Sequence, residues 1–246
     1  MFAVSPSCTN EVLLAYLDTT PVKSSKCALE HVPGKKKRKR MYTYKEREHD
    51  ADVKKPKGLT KFLRKTFYKH YKRPTRYLKH RVKLASSKAT GKRVDKEIFT
   101  KISGKKPRGK LARRQLHPLT SAIFRYWTAR GLTPVAAQVP VQLPELNVMT
   151  QADVIVEDRQ GQLWMHEIKT GYCGMKSTQG TLAAQFRNVP CTKGNQWDLQ
   201  RHFTDVALCR RGLPLAGSKV INAYQQRFPD GIREIVKERR NVIKKL

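Results

Sequence analysis

Three charged residues in the apolar stretch ADVIVEDRQGQLWMHEIKTGY, residues 152–172, are the part of the sequence best suited to chemistry. Asp153 lies near the start of one apolar run, and Glu167 and Lys169 lie two residues apart in the next. Two carboxylates offer hard oxygen ligands to a divalent cation, and an ammonium group beside them can orient water or neutralise developing charge. This combination fits metal-assisted phosphodiester hydrolysis if the fold brings the three side chains together.

A β-hairpin predicted for the same stretch would do so. Its three-residue loop, residues 159–161, ends in glycine, which is typical of a type I turn followed by a bulge. In that register Asp153 lies directly across from Glu167, about 5 Å away and on the same face. Lys169 shares this face because side chains alternate along a strand.

A surface cluster of salt bridges is the alternative interpretation, and such clusters contribute little to stability. The flanking residues argue against it, because both faces of the hairpin are apolar, as in a strand pair covered on two sides. These flanking residues are Val154, Ile155, Val156, Leu163, Trp164, Met165 and Ile168. Two acids and a lysine at the end of a buried strand pair are costly unless a cation or substrate uses them.

The chain is strongly basic, with 52 Lys and Arg against 19 Asp and Glu in 246 residues and a formal net charge of +33. Residues 35–114 carry +26 of that charge. Such an excess favours a polyanionic partner, above all nucleic acid. An anionic membrane would also attract it, but no apolar run approaches a membrane span and no secretory leader is recognisable. We therefore expect a chain that is neither secreted nor transmembrane.

A compact basic run follows a Pro-Gly pair in PGKKKRKR. It consists of Lys35, Lys36, Lys37, Arg38, Lys39 and Arg40. Such a run predicts either a nuclear import signal, and hence an import receptor and a nuclear location, or simply more solvated positive tail.

Residues 58–83 interleave cations with aromatic side chains, a composition that can bind phosphates and stack on unpaired bases. The candidate nucleic-acid-binding residues are Lys61, Arg64, Lys65, Lys69, Lys72 and Arg73. Alternatively, the aromatics form the apolar seam of a helical hairpin and the cations its wet face. Residues 84–115, rich in Lys, Gly and Ser, predict a mobile basic linker.

Further elements are predicted around the hairpin from periodicity and capping signals. They are a helix at 117–131, a strand at 133–145 and a helix at 195–212 capped by Asn195. The five cysteines are odd in number, widely spaced and without a CxxC pair, so reduced thiols are expected rather than a zinc ribbon or a disulfide framework.

The pattern Asp153 … Glu167-Ile168-Lys169 on two strands of a hairpin resembles the PD-(D/E)XK nuclease superfamily. HEIKTGY is similar to the D-x-K-T-G strand of its RecB-type branch, which includes the lambda-exonuclease-like nucleases. That branch has a later helix opening with Q-x-x-x-Y, and QWDLQ matches the glutamine at Gln196. Gln200 stands where the branch usually has tyrosine, so the match to this second motif is partial.

The resemblance implies a restriction-endonuclease-like α/β core of the order αβββαβ, a mixed sheet flanked by helices. In this core residues 218–228 would form the next strand, and residues 230–245 would form a closing basic helix. The implied domains are a flexible arm at 1–40, a basic, partly helical or disordered nucleic-acid-binding extension at 41–115, and the nuclease-like domain at 116–246.

The resemblance also implies the roles of the site residues. Asp153 and Glu167 would bind Mg²⁺, or Mn²⁺ in its place, with the backbone carbonyl of Ile168 as a further ligand. Lys169 would be catalytic, and Gln196 would orient the other groups.

One departure concerns the first core helix, in which many members carry a glutamate ligand. Residues 117–131 contain no acid. His117 could serve as a ligand instead, but a histidine at a helix start is also a common cap.

The expected activity is that of a magnesium-dependent deoxyribonuclease in replication, recombination or repair. The alternative is a non-catalytic nucleic-acid-binding or packaging protein on the same fold. The sequence leaves open exonuclease or endonuclease action, DNA or RNA as substrate, and the oligomeric state.

Overall fold

The computed structural model describes residues 3–4, 56–68, 81–104, 115–171 and 180–243. In this part of the chain a mixed seven-stranded sheet is flanked by helices, so the protein belongs to the mixed α/β class, as the sequence predicts. The elements in chain order are β1 (Ala3–Val4), β2 (Lys57–Gly58), α1 (Leu59–Thr66), α2 (Arg81–Ile102), α3 (Pro118–Ala129), β3 (Thr133–Leu143), β4 (Val148–Glu157), β5 (Leu163–Thr170), α4 (Lys193–Arg210), β6 (Leu215–Phe228) and β7 (Gly231–Glu238).

The strands lie in the order β1-β3-β4-β5-β6-β7, and β2 pairs with β4. Strands β3, β4 and β5 form an antiparallel meander, while β5 and β6 run parallel and β7 returns antiparallel to β6. A parallel pair needs a crossover connection, which α4 supplies between β5 and β6. This connection places the amino-terminal half of α4 beside the end of β5.

Each face of the sheet is covered by a different pair of helices. On β4, Ile155 packs in the cluster that contains α1 and α4. Its neighbours Val154 and Val156 pack in the cluster that contains α2 and α3. The alternation follows from the two-residue period of a strand, and it explains why the central strands are apolar on both faces.

Helix α3 confirms the helix predicted at 117–131. Pro118 occupies its first turn, and His117 caps it by accepting a hydrogen bond from the backbone N–H of Leu119. Gly131 follows the helix with φ of +65°, a left-handed conformation that glycine adopts without steric cost. Trp127 on this helix is completely buried against the sheet.

The helix predicted at 195–212 is present as α4, but its cap differs. Thr192 caps the helix by accepting from the backbone N–H of Asn195 at 3.1 Å. Asn195 itself lies in the first turn, and its side-chain amide donates to the carbonyl of Pro190 at 2.8 Å. The predicted cap was therefore wrong by one turn.

Two further predictions were wrong. The segment predicted as a mobile linker contains most of α2, because its apolar residues Val94, Ile98 and Ile102 recur every four residues and are buried. The predicted closing helix is strand β7, which pairs with β6 from Phe228–Gly231 onwards. Its β-branched residues and the tight turn before it favour a hairpin over a helix.

Candidate active site

The β4–β5 hairpin brings two of the predicted site residues together. Val154 pairs with His166, and one step further along this antiparallel register Asp153 faces Glu167. The backbone N–H of Ile168 donates to Asp153 Oδ2 at 2.8 Å. The predicted register is thus confirmed, and a hydrogen bond from the neighbouring strand fixes one oxygen of Asp153.

The loop of this hairpin sets the register. Asp158 Oδ1 accepts from the backbone N–H groups of Gln160 and Gln162, both at 2.9 Å. Gly161 has φ of +74°, as the predicted turn requires. Because a slip of one residue would turn every side chain to the other face, this loop determines that Asp153 and Glu167 share a face.

Glu167 is completely buried and lies at the centre of a small hydrogen-bond network. Its Oε1 accepts from Lys169 Nζ at 2.5 Å and from Gln200 Nε2 at 2.7 Å. Gln200 Oε1 in turn accepts from Lys169 Nζ at 3.4 Å. The other oxygen, Oε2, is buried and has no hydrogen-bond partner among the described residues. Such an atom loses its hydration without replacement, so it is a natural ligand for a cation.

Electrostatics at the site are dominated by the two carboxylates. Burial and the negative charge of Glu167 raise the pKa of Asp153 well above its ordinary value, although Lys169 opposes this shift. Burial alone would lower the pKa of Lys169, but the carboxylates of Glu167 and Asp153 outweigh it and raise that pKa. The arrangement favours additional positive charge, from a proton on Asp153 or from a bound cation.

A third acidic residue near the site, Asp95 on α2, was missed in the sequence. Its charge contributes to raising the pKa values of both Asp153 and Lys169. Helix α2 approaches β5 closely at Gly91, where an added Cβ would lie 2.9 Å from Thr170 Oγ1. No sequence signal points to Asp95, because the composition of its segment predicts a linker.

The side chains of Gln196 and His117 make their hydrogen bonds to residues outside the candidate site. Gln196 is buried, and its amide donates to Cys191 Sγ at 3.7 Å, whereas Gln200, one turn later, contacts the site. The Nδ1 atom of His117 accepts from the backbone N–H of Leu119 at 3.2 Å. His117 therefore adopts the capping role that the sequence left open as its alternative.

The candidate nucleic-acid-binding residues are divided between described and undescribed parts of the chain. Lys61, Arg64 and Lys65 are exposed on α1. The apolar side chains of the same helix, Leu59 and Leu63, are buried in the core, and the aromatic ring of Phe67, directly after the helix, is buried in the same cluster. The remaining candidates lie outside the described residues; they are Lys35, Lys36, Lys37, Arg38, Lys39, Arg40, Lys69, Lys72 and Arg73.

The donor set of the site can be compared with the needs of a metal ion. In the described part of the chain, no group of three or more His, Cys, Asp or Glu side chains could hold a metal. Magnesium, however, often takes only one or two carboxylates and keeps several waters. Asp153 and the unpartnered Oε2 of Glu167 fit that requirement. Cys191 is a buried free thiol.

Comparisons with models of protein families and with curated protein sequences gave no match for this chain. None of the described helices combines the length and the apolarity that crossing a bilayer requires.

Proposed function

We propose that this protein is a metal-dependent nuclease of the PD-(D/E)XK type that hydrolyses phosphodiester bonds in DNA. The observation that carries the proposal is the convergence of Asp153, Glu167 and Lys169 at one end of a hairpin, with Glu167 Oε2 buried and unpartnered among the described residues. The element order from α3 to β6, a helix, three strands, a helix and a strand, supports the restriction-endonuclease-like fold.

The proposed metal site consists of Asp153, Glu167 and the backbone carbonyl of Ile168, with Mg²⁺ or Mn²⁺ as the ion. When bound, the ion neutralises charge on the phosphate and lowers the pKa of a bound water. The protein contributes a desolvated carboxylate at Glu167. It also contributes Asp153, whose pKa is raised by burial and by Glu167, so that a nearby cation would favour its ionised form.

Lys169 would act directly on the substrate. Its ammonium group has three N–H donors, and two of them are directed at Glu167 Oε1 and Gln200 Oε1. The third can contact a phosphate oxygen or the attacking water, where it stabilises the negative charge that develops in the transition state. Gln200 holds both Glu167 and Lys169, so it is a positioning residue.

The basic extension would hold the nucleic acid through its phosphates. Exposed Lys61, Arg64 and Lys65 on α1 supply part of this charge. Roles in replication, recombination or repair, and import into a nucleus through the basic run at residues 35–40, belong to the same proposal.

A cleavage assay tests this function. End-labelled linear DNA, closed circular DNA and a matched RNA would be incubated with the full chain in Mg²⁺, Mn²⁺ or EDTA. We expect metal-dependent cleavage, and cutting of the circle would identify an endonuclease. The variant Asp153→Asn should lose this activity, whereas Asp230→Asn, at an exposed ion pair on the β6–β7 turn, should retain it. Salt-sensitive binding without cleavage in any metal would instead favour a nucleic-acid-binding or packaging protein.

A further inference from the structure

Helix α2 is held against the site end of β5 by close packing. Gly91 lies so near Thr170 that an added Cβ would be 2.9 Å from its Oγ1, closer than an ordinary van der Waals contact. Val94, Ile98 and Ile102 are buried in the cluster shared with α3 and the sheet. The position of α2 beside the candidate active site is therefore set by its own side chains.

The exposed side of α2 carries a regular row of lysines. Lys88, Lys92 and Lys96 are exposed and four residues apart, so they lie along one side of the helix. Within the described residues none of the three forms an ion pair, although Arg93 on the same helix pairs with Glu97 at 2.6 Å. We call these three residues the α2 lysine row.

Like charges at this spacing repel each other and destabilise a helix. A polyanion that runs along the row would remove this repulsion and release its own counterions. The spacing along the helix, about 6 Å per four residues, puts the three ammonium groups in a line along which a phosphate backbone can run. The chemistry of the row thus fits a phosphate backbone.

The row also lies near the end of β5 that carries Lys169. Lys88 and Lys92 flank Gly91, which contacts the end of β5 directly after Lys169. Asp95, between Lys92 and Lys96, is close enough for its charge to act on Asp153 and Lys169. A strand bound along the row would therefore approach the candidate catalytic groups.

We propose that the α2 lysine row binds the phosphate backbone of a nucleic-acid strand and guides that strand to Asp153, Glu167 and Lys169. The guiding role rests on the proposed nuclease function, whereas the binding role does not. The strand is recognised by its charge and spacing, so the row confers no sequence preference.

Binding of a short fluorescein-labelled DNA duplex, measured by anisotropy in EDTA at several salt concentrations, tests the first role. The double variant Lys88→Gln/Lys92→Gln should reduce the slope of log K against log salt by about 1–2. The control Arg125→Gln/Arg159→Gln removes two exposed cations from α3 and the hairpin loop and should leave the slope nearly unchanged. Equal slopes for the two double variants would overturn the proposal.

A photocrosslinker provides a local readout that binding elsewhere on the basic chain does not affect. Benzoylphenylalanine at the exposed position Ala89, on α2, should crosslink to the duplex. The same group at exposed Gln160, in the hairpin loop, is the control and should not. Crosslinking no stronger from position 89 than from position 160 would also contradict the proposal.

Steady-state cleavage tests the guiding role. In Lys88→Gln/Lys92→Gln we expect KM to rise about tenfold while kcat changes little, because phosphate contacts away from the reacting bond contribute uniform binding. A fall in kcat with unchanged KM would overturn it. If the wild-type chain cleaves no nucleic acid, the nuclease proposal fails, but the anisotropy and crosslinking results still decide whether the row binds.

Discussion

At the scale of single residues, Glu167 is a completely buried acid whose two carboxylate oxygens have different surroundings. One oxygen is satisfied by Lys169 and Gln200, and the other is buried without a hydrogen bond among the described residues. Asp153, across the hairpin, is a second carboxyl, and its raised pKa means that its ionised form is disfavoured. A structural role alone does not account for Asp153, since a neutral residue at this position would relieve its repulsion with Glu167.

The first prediction follows from the direction in which folding shifts the pKa of Asp153. Because folding raises the pKa of Asp153, its ionised form destabilises the folded state at neutral pH. Asp153→Asn should therefore raise Tm in EDTA, by about 2–4 °C for each kcal/mol of repulsion relieved. Thermal unfolding with and without Mg²⁺ measures this.

Divalent ions provide the internal control for that experiment. Mg²⁺ or Mn²⁺ should stabilise the wild-type protein and stabilise Asp153→Asn much less, because only the wild type retains both carboxylates. A variant that is less stable than the wild type in EDTA, or equally stabilised by the metal, would contradict our description of the site.

The second prediction separates Gln200 from Gln196. Gln200→Ala should reduce kcat by about 10–100-fold, as is usual when a group that orients a metal ligand or catalytic residue is removed. Gln196→Ala removes only the contact with Cys191 and should leave kcat near that of the wild type. Gln200→Asn, which keeps the amide on a shorter side chain, should recover part of the loss if the amide positions Glu167 and Lys169.

Sequence reasoning found Asp153, Glu167 and Lys169 but named Gln196 as the orienting residue, whereas Gln200 is the glutamine whose amide contacts Glu167 and Lys169. Residues 196 and 200 are one helical turn apart and lie on nearly the same side of α4, so periodicity cannot separate them. The choice depends on how far along β5 the helix is docked, which is set by tertiary packing. Equal activity losses in the two variants would contradict the structural assignment.

At the scale of elements, the hairpin was predictable because its information is local. A glycine at the end of a short loop and an aspartate that accepts from two backbone N–H groups of that loop fix both the loop and the register. Helix α2 was missed because Ser86, Ser87, Thr90 and Gly91 are weak helix formers. Its stability comes from contacts with the sheet and α3, which a linear sequence does not display.

The contact between α2 and α3 yields the third prediction. Glu97 Oε2 accepts from Thr120 Oγ1 at 2.6 Å and from the backbone N–H of His117 at 2.8 Å. Burial alone would raise the pKa of Glu97, but these bonds and Arg93 outweigh it and lower that pKa below its ordinary value of 4.5. Its contribution to stability is therefore present above that pH and is lost as pH falls through the folded-state pKa.

Urea unfolding of Glu97→Gln measures this contribution. At neutral pH the variant should lose about 1.5–3 kcal/mol, the usual contribution of hydrogen bonds to a charged group. The difference from the wild type should shrink below pH 4.5. Glu157→Gln, at the far end of β4, serves as a control, and a difference that does not vary with pH would contradict the assignment.

At the scale of the whole molecule, a buried polar network fixes the orientation of α4. Arg201 bonds to Asp198 at 2.7 Å and to the carbonyl of Ile243 at 2.7 Å, and Asp205 accepts from Ser218 on β6 at 2.8 Å. The network joins α4 to the sheet and to the C-terminal segment. Since Gln200 precedes Arg201, the same network holds Gln200 toward Glu167.

The distribution of positive charge along the chain agrees with nucleic-acid binding near the candidate active site. The sequence places most of the positive charge before the candidate active-site domain, and α1 and α2 carry part of it to the two faces of the sheet. The net charge can be predicted from composition. The positions of the cations on the two faces of the sheet cannot, because the composition around α2 predicts a linker. A nucleic acid bound by these cations would bring its phosphates toward the carboxylates of the candidate site. A bound metal cation would offset the repulsion between phosphate and carboxylate.

The most direct measurement of the central claim is single-turnover cleavage of DNA in saturating Mg²⁺ by Lys169→Ala. We predict a rate at least about 10²-fold below the wild type, because the variant loses the positive charge directed at the transition state. Lys219→Ala, which removes a half-exposed strand lysine paired with Glu238, should cleave at the wild-type rate. Wild-type cleavage by Lys169→Ala, or the same rate in EDTA as in Mg²⁺, would contradict a metal-dependent site built on Asp153, Glu167 and Lys169.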